Sequence, residues 1–387
     1  MLSTPLVATG GAERQFFEEV KGLRELGHDV RPVTFALSDA ALFVDGIGRG
    51  DVTVLRAPAG PGGKVVALRR ALREMRPDLL VSHTSPELTW LATRGAGVPY
   101  VQYHNSPPFY IGPQANPYMA SWRYRRAFPR LRDDVDGYAE LAGAHTMPAG
   151  ERALAEVRGE LKHRSLRSAR AIVTPSRRTA RELRLLHGVE ATVVRGCLDD
   201  AAIAAGRATV AERAAIVLSV CRLERVKRVD LLVRAFALVL REAPEARLIV
   251  AGGGPEREPL EELVRETGIG RAVRFAGYVP ERELRALYAS ARTFAAPAMA
   301  DFNIAPYEAL AAGCNAVWTT EMETEPEIER SGRVFVARPQ TEAFARAIVA
   351  ALRAPVAAPT PLEHMTWRAR AQRLDAIYRG IAEGVAA

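Results

Sequence analysis

The chain has 387 residues, more than one hydrophobic core usually serves, so two domains are expected. Hydrophobic residues at 48% and charged ones at 25% fit a soluble globular protein; no apolar run is long enough for a membrane span, and Met1–Gly11 lacks the basic start and apolar core of a signal peptide. The net charge is +8 and nearly all of it is arginine, which either an affinity for anions or plain Arg/Ala bias explains; no aromatic-interleaved basic tract favours nucleic acid as a partner. Only Cys197, Cys221 and Cys314 are present, without metal-ligand spacing, so reduced thiols in a cytoplasmic protein fit best.

In chain order, Met1–Thr9 offers only Leu2, Leu6 and Val7 around Pro5, so the first strand is short or the true start lies upstream, the second being favoured. Arg14–Leu26 and Val65–Met75 have helical spacing, and Asp29–Phe35, Leu79–Ser82 and Tyr100–Tyr103 read as strands. Pro107–Gly150, rich in Pro, Tyr and Arg, breaks the rhythm as a long excursion, after which Ala171–Pro175 and Ala191–Val194 resume as buried strands. The Ala-rich stretch Asp199–Arg213 is the expected linker. Beyond it, strands at Ala215–Val220, Ala246–Ala251, Val273–Ala276, Thr293–Ala296, Ala316–Thr319 and Val334–Val336 alternate with helices at Val229–Glu242, Glu258–Gly268 and Glu281–Ser290. This is the βαβ rhythm of two doubly wound, parallel-sheet α/β domains, with ligands at the carboxyl ends of strands. The expected division is 1–200, 213–364 and a terminal helical stretch 365–387.

Several residues fall where such sheets bind ligands. Gly10 and Gly11 open a helix, where they let backbone N–H groups approach a phosphate or sugar or simply make a turn. His104 ends a buried strand; His83 also does, and reads as structural. Asp134 and Asp136 imitate a metal-binding Asp-x-Asp but sit in a charged, irregular region rather than at the end of an apolar strand. Arg222 and Lys227 fall in a strand-to-helix loop where two cations can grip a diphosphate, or stand as a solvated basic loop. Gly252-Gly253-Gly254-Pro255 is either a tight connection or a ligand contact. Asp301–Gly313 reads as a polar turn and then a helix opened by Pro306 and closed by Gly313, with Glu308 as its only carboxylate; an anion at its start would meet unpaired N–H groups.

Taken together, these motifs resemble the nucleotide-sugar-dependent glycosyltransferases of family 4. The likeness runs through Gly10-Gly11-Ala12-Glu13-Arg14 with Gly27-His28-Asp29-Val30, through Arg222 and Lys227, through Gly252–Pro255 and Phe275–Val279, and through Phe302 to Glu308. Met365-Thr366-Trp367 and the helical run to Tyr378 resemble the family's terminal helices. The resemblance implies a GT-B fold: two Rossmann-like domains facing a cleft, with the last helix crossing back to the first. It implies a nucleoside-diphosphate sugar in the second domain, a glycan, lipid-linked or small-molecule acceptor in the first, and transfer with retention, without a metal or other cofactor. Arg-rich helices leave open peripheral association with the inner face of a membrane.

By the same resemblance, Arg222 and Lys227 offset the diphosphate charge, Glu308 holds the ribose, and His104 lies near sugar and acceptor. Gly10, Gly11, Gly253, Tyr278, Asp301, Phe302, Asn303, Ile304 and Ala305 border the donor, Tyr278 beside the base and the N–H groups of Asn303 to Ala305 facing phosphates. The chain departs from the family pattern in places. Cys221 and Arg228 replace the glycines flanking the cation loop, and Asn303 replaces a glycine at a tight turn. A glutamate that meets the donated sugar in relatives is here Ala300, eight positions before Glu308. Asp301 either swings toward that sugar or caps the following helix. The competing expectations are a nucleotide-sugar-binding partner without catalysis and a sugar-nucleotide epimerase on the same fold.

Overall fold

A computed structural model describes residues 1–387 except 4, 8–9, 61, 105–120, 132–148, 201–202, 204–212, 301, 356–361 and 385–387. The chain forms two compact units, one gathering Met1–Leu131, Ala142–Gly196 and the stretch from Trp367 onward, the other built on Cys197–Thr366.

The first unit begins with helix α1 (Gly11–Glu25), which buries Phe16, Phe17, Val20 and Leu23 on one face. Two short strands follow, β1 (Val33–Thr34) and β2 (Thr53–Val54), paired in parallel. The strand expected over Asp29–Phe35 is thus cut to two residues. Pro32 has no N–H to give a ladder, and the Val30 carbonyl is taken by the Arg24 guanidinium at 3.0 and 2.9 Å. Helix α2 (Gly63–Met75), β3 (Leu80–Ser82), α3 (Pro86–Arg94) and β4 (Tyr100–Tyr103) continue the alternation. Ser85 caps α3 by accepting from the Leu88 N–H, and Pro86 takes a first-turn place where no N–H is needed. Helices α4 (Trp122–Leu131) and α5 (Ala149–Ser168) lead to β5 (Ala171–Thr174), α6 (Arg177–His187) and β6 (Thr192–Val193).

Strands β3, β4, β5 and β6 pair in that order, all parallel. Leu2 fills the position between β1 and β3, bridging to Val33 on one side and Ser82 on the other. Leu6 bridges in parallel to Leu37, its N–H given to the Ala36 carbonyl at 2.9 Å, so the stretch pairs at isolated residues on either side of Pro5, which has no N–H to give.

The second unit is more regular. Strands β7 (Ala214–Val220), β8 (Arg247–Ala251) and β9 (Val273–Gly277) alternate with helices α7 (Val229–Glu242), α8 (Arg257–Glu266) and α9 (Glu281–Ser290). Strand β10 (Ala291–Ala296), helix α10 (Ala305–Ala311), β11 (Asn315–Thr319), α11 (Pro326–Glu329), β12 (Val334–Ala337) and α12 (Thr341–Arg353) complete it. Its six strands lie in the order β12-β11-β10-β7-β8-β9, every pair parallel. Val217, Leu232, Phe236, Leu248, Val250, Phe344 and Ile348 form its core, each at 3% exposure or less. Full burial of such a side chain stabilises by about 1.5–3 kcal/mol.

The chain then returns to the first unit as α13 (Trp367–Ala382), packed along α1. A Cβ on Gly22 would lie 2.6 Å from the Ala371 Cβ, so the glycine is what lets these two helices approach.

Candidate active site

In the second unit the strand order reverses between β7 and β10, and at such a switch point the loops leaving neighbouring strands diverge and open a crevice. Both expected donor motifs leave from these two strands. After β7 the chain runs through Cys221 to Arg228, with one turn of 3-10 helix at Arg225–Lys227. After β10 it runs through Met299 and Ala300 into α10. The Met299 N–H donates to the Val226 carbonyl at 2.9 Å, joining the loops by backbone. The Lys227 ammonium donates to Asn303 Oδ1 at 3.4 Å, joining them by side chain. Arg222 stands farther out, 62% exposed, its guanidinium 2.9 Å from Glu224 Oε1. The two cations expected to work together thus differ, one solvated and paired with a neighbour, the other held against the opposite loop.

The glycine turn after β8 packs against the cation loop. At Gly252, with φ +128°, a Cβ would come 1.9 Å from the Cys221 carbonyl oxygen; at Gly254, with φ +156°, it would come 2.4 Å from that of Leu223. These two glycines let the turn lie against the cation loop, and the Leu223 N–H donates to the Gly253 carbonyl at 2.8 Å. A Cβ on Gly253 meets nothing within 4 Å, so this residue alone of the three leaves its upper face open. Tyr278, just past β9, is 72% exposed.

The segment behind β10 carries the remaining residues expected at the donor. Asp301 lies outside the described residues. Phe302 packs on Tyr307 with ring centroids 5.4 Å apart, and Tyr307 lies 6.1 Å from buried Trp318, so Phe302 anchors the turn to the core. Asn303 keeps an ordinary negative φ, since Arg76 and Arg228 are the positive-φ non-glycine residues. Ile304 precedes α10, and Ala305 is its first residue. At seven residues the helix has little dipole, so an anion there depends on individual N–H groups.

Glu308, in the first turn of α10, is partly accessible and accepts a hydrogen bond from the buried Tyr288 hydroxyl at 3.0 Å. Burial and the adjacent Glu308 carboxylate hold the Tyr288 phenol well above its ordinary pKa, so it stays a donor. Tyr288 was not legible in the sequence: it sits on α9, and only packing brings it to Glu308.

In the first unit, His104 follows β4, its backbone N–H given to the Val173 carbonyl at 2.8 Å. Burial, reinforced by the Lys162 charge, lowers its pKa to about 3, so the imidazole is neutral at pH 7. Gly10 precedes α1 with extended backbone (φ −157°), and Gly11 is its exposed first residue; neither needs a left-handed angle. His83 is buried 3.5 Å from Glu19 Oε2 and stacks on Tyr103, a core role. Asp134 and Asp136 lie outside the described residues, among which no cluster of His, Cys, Asp or Glu is placed to hold a metal ion. Among those residues, too, no helix is long and apolar enough to cross a membrane.

Residues 10–197 match the family described as Glycosyl transferase 4-like domain, and residues 205–372 match Glycosyl transferases group 1. The chain belongs to the family 4 glycosyltransferases. Solved structures agree on the fold of this glycosyltransferase, GT-B. Sucrose-phosphate synthase from Thermosynechococcus elongatus superposes with a TM-score of 0.73 at 18% identity, covering 97% of this chain and 94% of that one. HepE from Anabaena, solved with UDP-glucose, gives 0.69 at 17% identity and 98% of both chains. Among curated relatives, the GDP-mannose-dependent α-(1-6)-phosphatidylinositol monomannoside mannosyltransferase of Mycolicibacterium smegmatis is 35% identical over 82 residues, 21% of this chain and 22% of that protein. The stretches matched in the curated relatives thus span about a quarter of their length, 26% and 22% for the first two.

Proposed function

We propose that this glycosyltransferase moves a sugar from a nucleoside diphosphate to an acceptor hydroxyl, with retention of configuration and without a metal. The observation that carries the reading is the pairing across the switch point: Lys227 reaches from the β7 loop to Asn303, one turn before Glu308. A diphosphate lying there would meet the Lys227 ammonium, the Arg222 guanidinium and the N–H groups of Asn303 to Ala305. Its ribose would reach Glu308, oriented by Tyr288, and its base would extend toward Tyr278. As the bond from sugar C1 to the phosphate oxygen breaks, charge gathers on the leaving diphosphate, which the Lys227 ammonium would stabilise, with Arg222 contributing on leaving its pair with Glu224. The acceptor oxygen bonds C1 on the face the diphosphate leaves, and its proton passes to the departing diphosphate oxygen. His104, in the first unit, would meet the acceptor as a neutral hydrogen-bonding group.

For the acceptor, the mannosyltransferase relative is named for a phosphatidylinositol monomannoside, which favours a lipid-linked acceptor here. For the donor, HepE was solved with UDP-glucose while the relative is named for GDP-mannose, so base and sugar are matters for assay. The test is nucleotide release from a panel of UDP-, GDP-, dTDP- and ADP-sugars, with and without EDTA. Release from one donor that persists in EDTA and falls on Lys227→Ala is expected. Binding without release from any donor, over a fair set of acceptors, would leave the non-catalytic reading standing.

A further inference from the structure

Arg228 stands immediately after Lys227 in the left-handed region, φ +48° and ψ +41°, an angle that glycine adopts freely and arginine does not. Something must hold it there. Its guanidinium forks onto Glu321, just beyond β11, with 2.5 Å from one nitrogen to Oε2 and 3.2 Å from the other to Oε1. The Glu321 side chain is 1% exposed and that of Arg228 16%. The same guanidinium lies 3.5 Å from Met299 Sδ, next to Ala300. Thr319, at the end of β11, reaches from its hydroxyl to Glu321 Oε2 at 3.4 Å and to the Ala298 carbonyl at 3.3 Å.

We infer that the Arg228–Glu321 pair is a positioning clamp for Lys227, locking the β7 and β10 loops at the separation that a diphosphate needs. The inference rests on the donor site proposed above. A bidentate pair between planar groups fixes direction as well as distance, which one lysine hydrogen bond of 3.4 Å cannot do. Glycine at 228 would give the turn its angle without tying it to β11; arginine gives both. Through Met299 the same guanidinium touches the β10 loop, which Phe302 anchors to the core farther along.

The experiment is a double-mutant cycle on Arg228→Gly and Lys227→Ala, read as kcat and KM for the donor and, separately, as the Kd of UDP and GDP by calorimetry. If Arg228 acts through Lys227, R228G lowers kcat/KM by roughly tenfold in the native background and changes it less than twofold in K227A. Arg228→Lys, which keeps charge but loses the fork, should fall between glycine and arginine. Multiplying effects, or an R228G variant as active as the native protein, overturn the inference. Thermal denaturation of each variant separates lost positioning from lost fold; should R228G not fold, the same cycle is run with R228K and judged by the same rule. A native protein that releases no nucleotide from any donor overturns the functional reading instead, and the cycle on nucleotide affinity then decides the clamp alone, additivity there overturning it.

Discussion

Tyr288 donates to Glu308 from a buried position, so it fixes where the carboxylate points. A hydrogen bond to a charged group contributes about 1.5–3 kcal/mol, and Tyr288→Phe removes it while keeping the ring. The donor KM should rise on the order of tenfold or more with kcat changed far less, checked by steady-state kinetics. His104 gives a second prediction. With its pKa held near 3, the imidazole does not titrate between pH 5 and 8, so any loss of turnover in His104→Gln should be the same factor at pH 5.5 and pH 8. A ratio that changes with pH would mean a protonated histidine is at work. Arg222, exposed and paired with Glu224, should matter less than Lys227, because a solvated ion pair is worth little and water already screens its charge.

At the scale of elements, packing holds two of the three glycines in the turn after β8 and leaves the third open. Gly252→Ala drives a Cβ into the Cys221 carbonyl and Gly254→Ala into that of Leu223, both backbone atoms that cannot swing aside. Each should cost about 2 kcal/mol or more in chemical denaturation, whereas Gly253→Ala, open on its exposed side, should be near neutral for stability. If Gly253 borders the donor, its alanine variant loses nucleotide affinity while remaining folded. The elements themselves were largely legible. Val229–Glu242 and Glu281–Ser290 are helices over the ranges their periodicity predicts, and the second-unit strands differ by one or two residues, because buried parallel strands read as continuous apolar runs. Strand β1 was overcalled because a side chain, Arg24, takes the carbonyl that a ladder would use.

At the scale of the whole molecule, a cluster around Glu19 ties α1 to the returning helix α13. Its Oε2 accepts from Arg370 at 2.9 Å, its Oε1 accepts from Tyr378 at 2.8 Å, and His83 lies 3.5 Å away. Arg370 also sits 5.0 Å over the Tyr103 ring and donates to the Val194 carbonyl at 2.6 Å. Removing one partner leaves a buried charge uncompensated, so Glu19→Gln or Arg370→Met should destabilise the first unit by about 3–5 kcal/mol, measured by denaturant titration. Burial alone would raise the Glu19 pKa, but His83 and Arg370 outweigh it and hold it at about 2, against an ordinary 4.5. A folded-state pKa below the unfolded one means stability that is full above about pH 4.5 and lost as the pH falls toward 2. Thermal melts across that window should show a drop that Glu19→Gln abolishes.

The sequence by itself determined the α/β rhythm, the family and the local chemistry at each strand end, because periodicity, turn glycines and cation spacing act over a few neighbouring residues. It also marked Arg228 as a departure without saying what the departure was for. Only the tertiary structure decided which groups meet: Tyr288 with Glu308 across 20 positions, Arg228 with Glu321 across 93, and Arg370 with Glu19 across 351. No periodicity encodes such pairs. They exist because strand order brings β7 beside β10 and β10 beside β11, and because the last helix returns to α1, so their partners become neighbours only after folding.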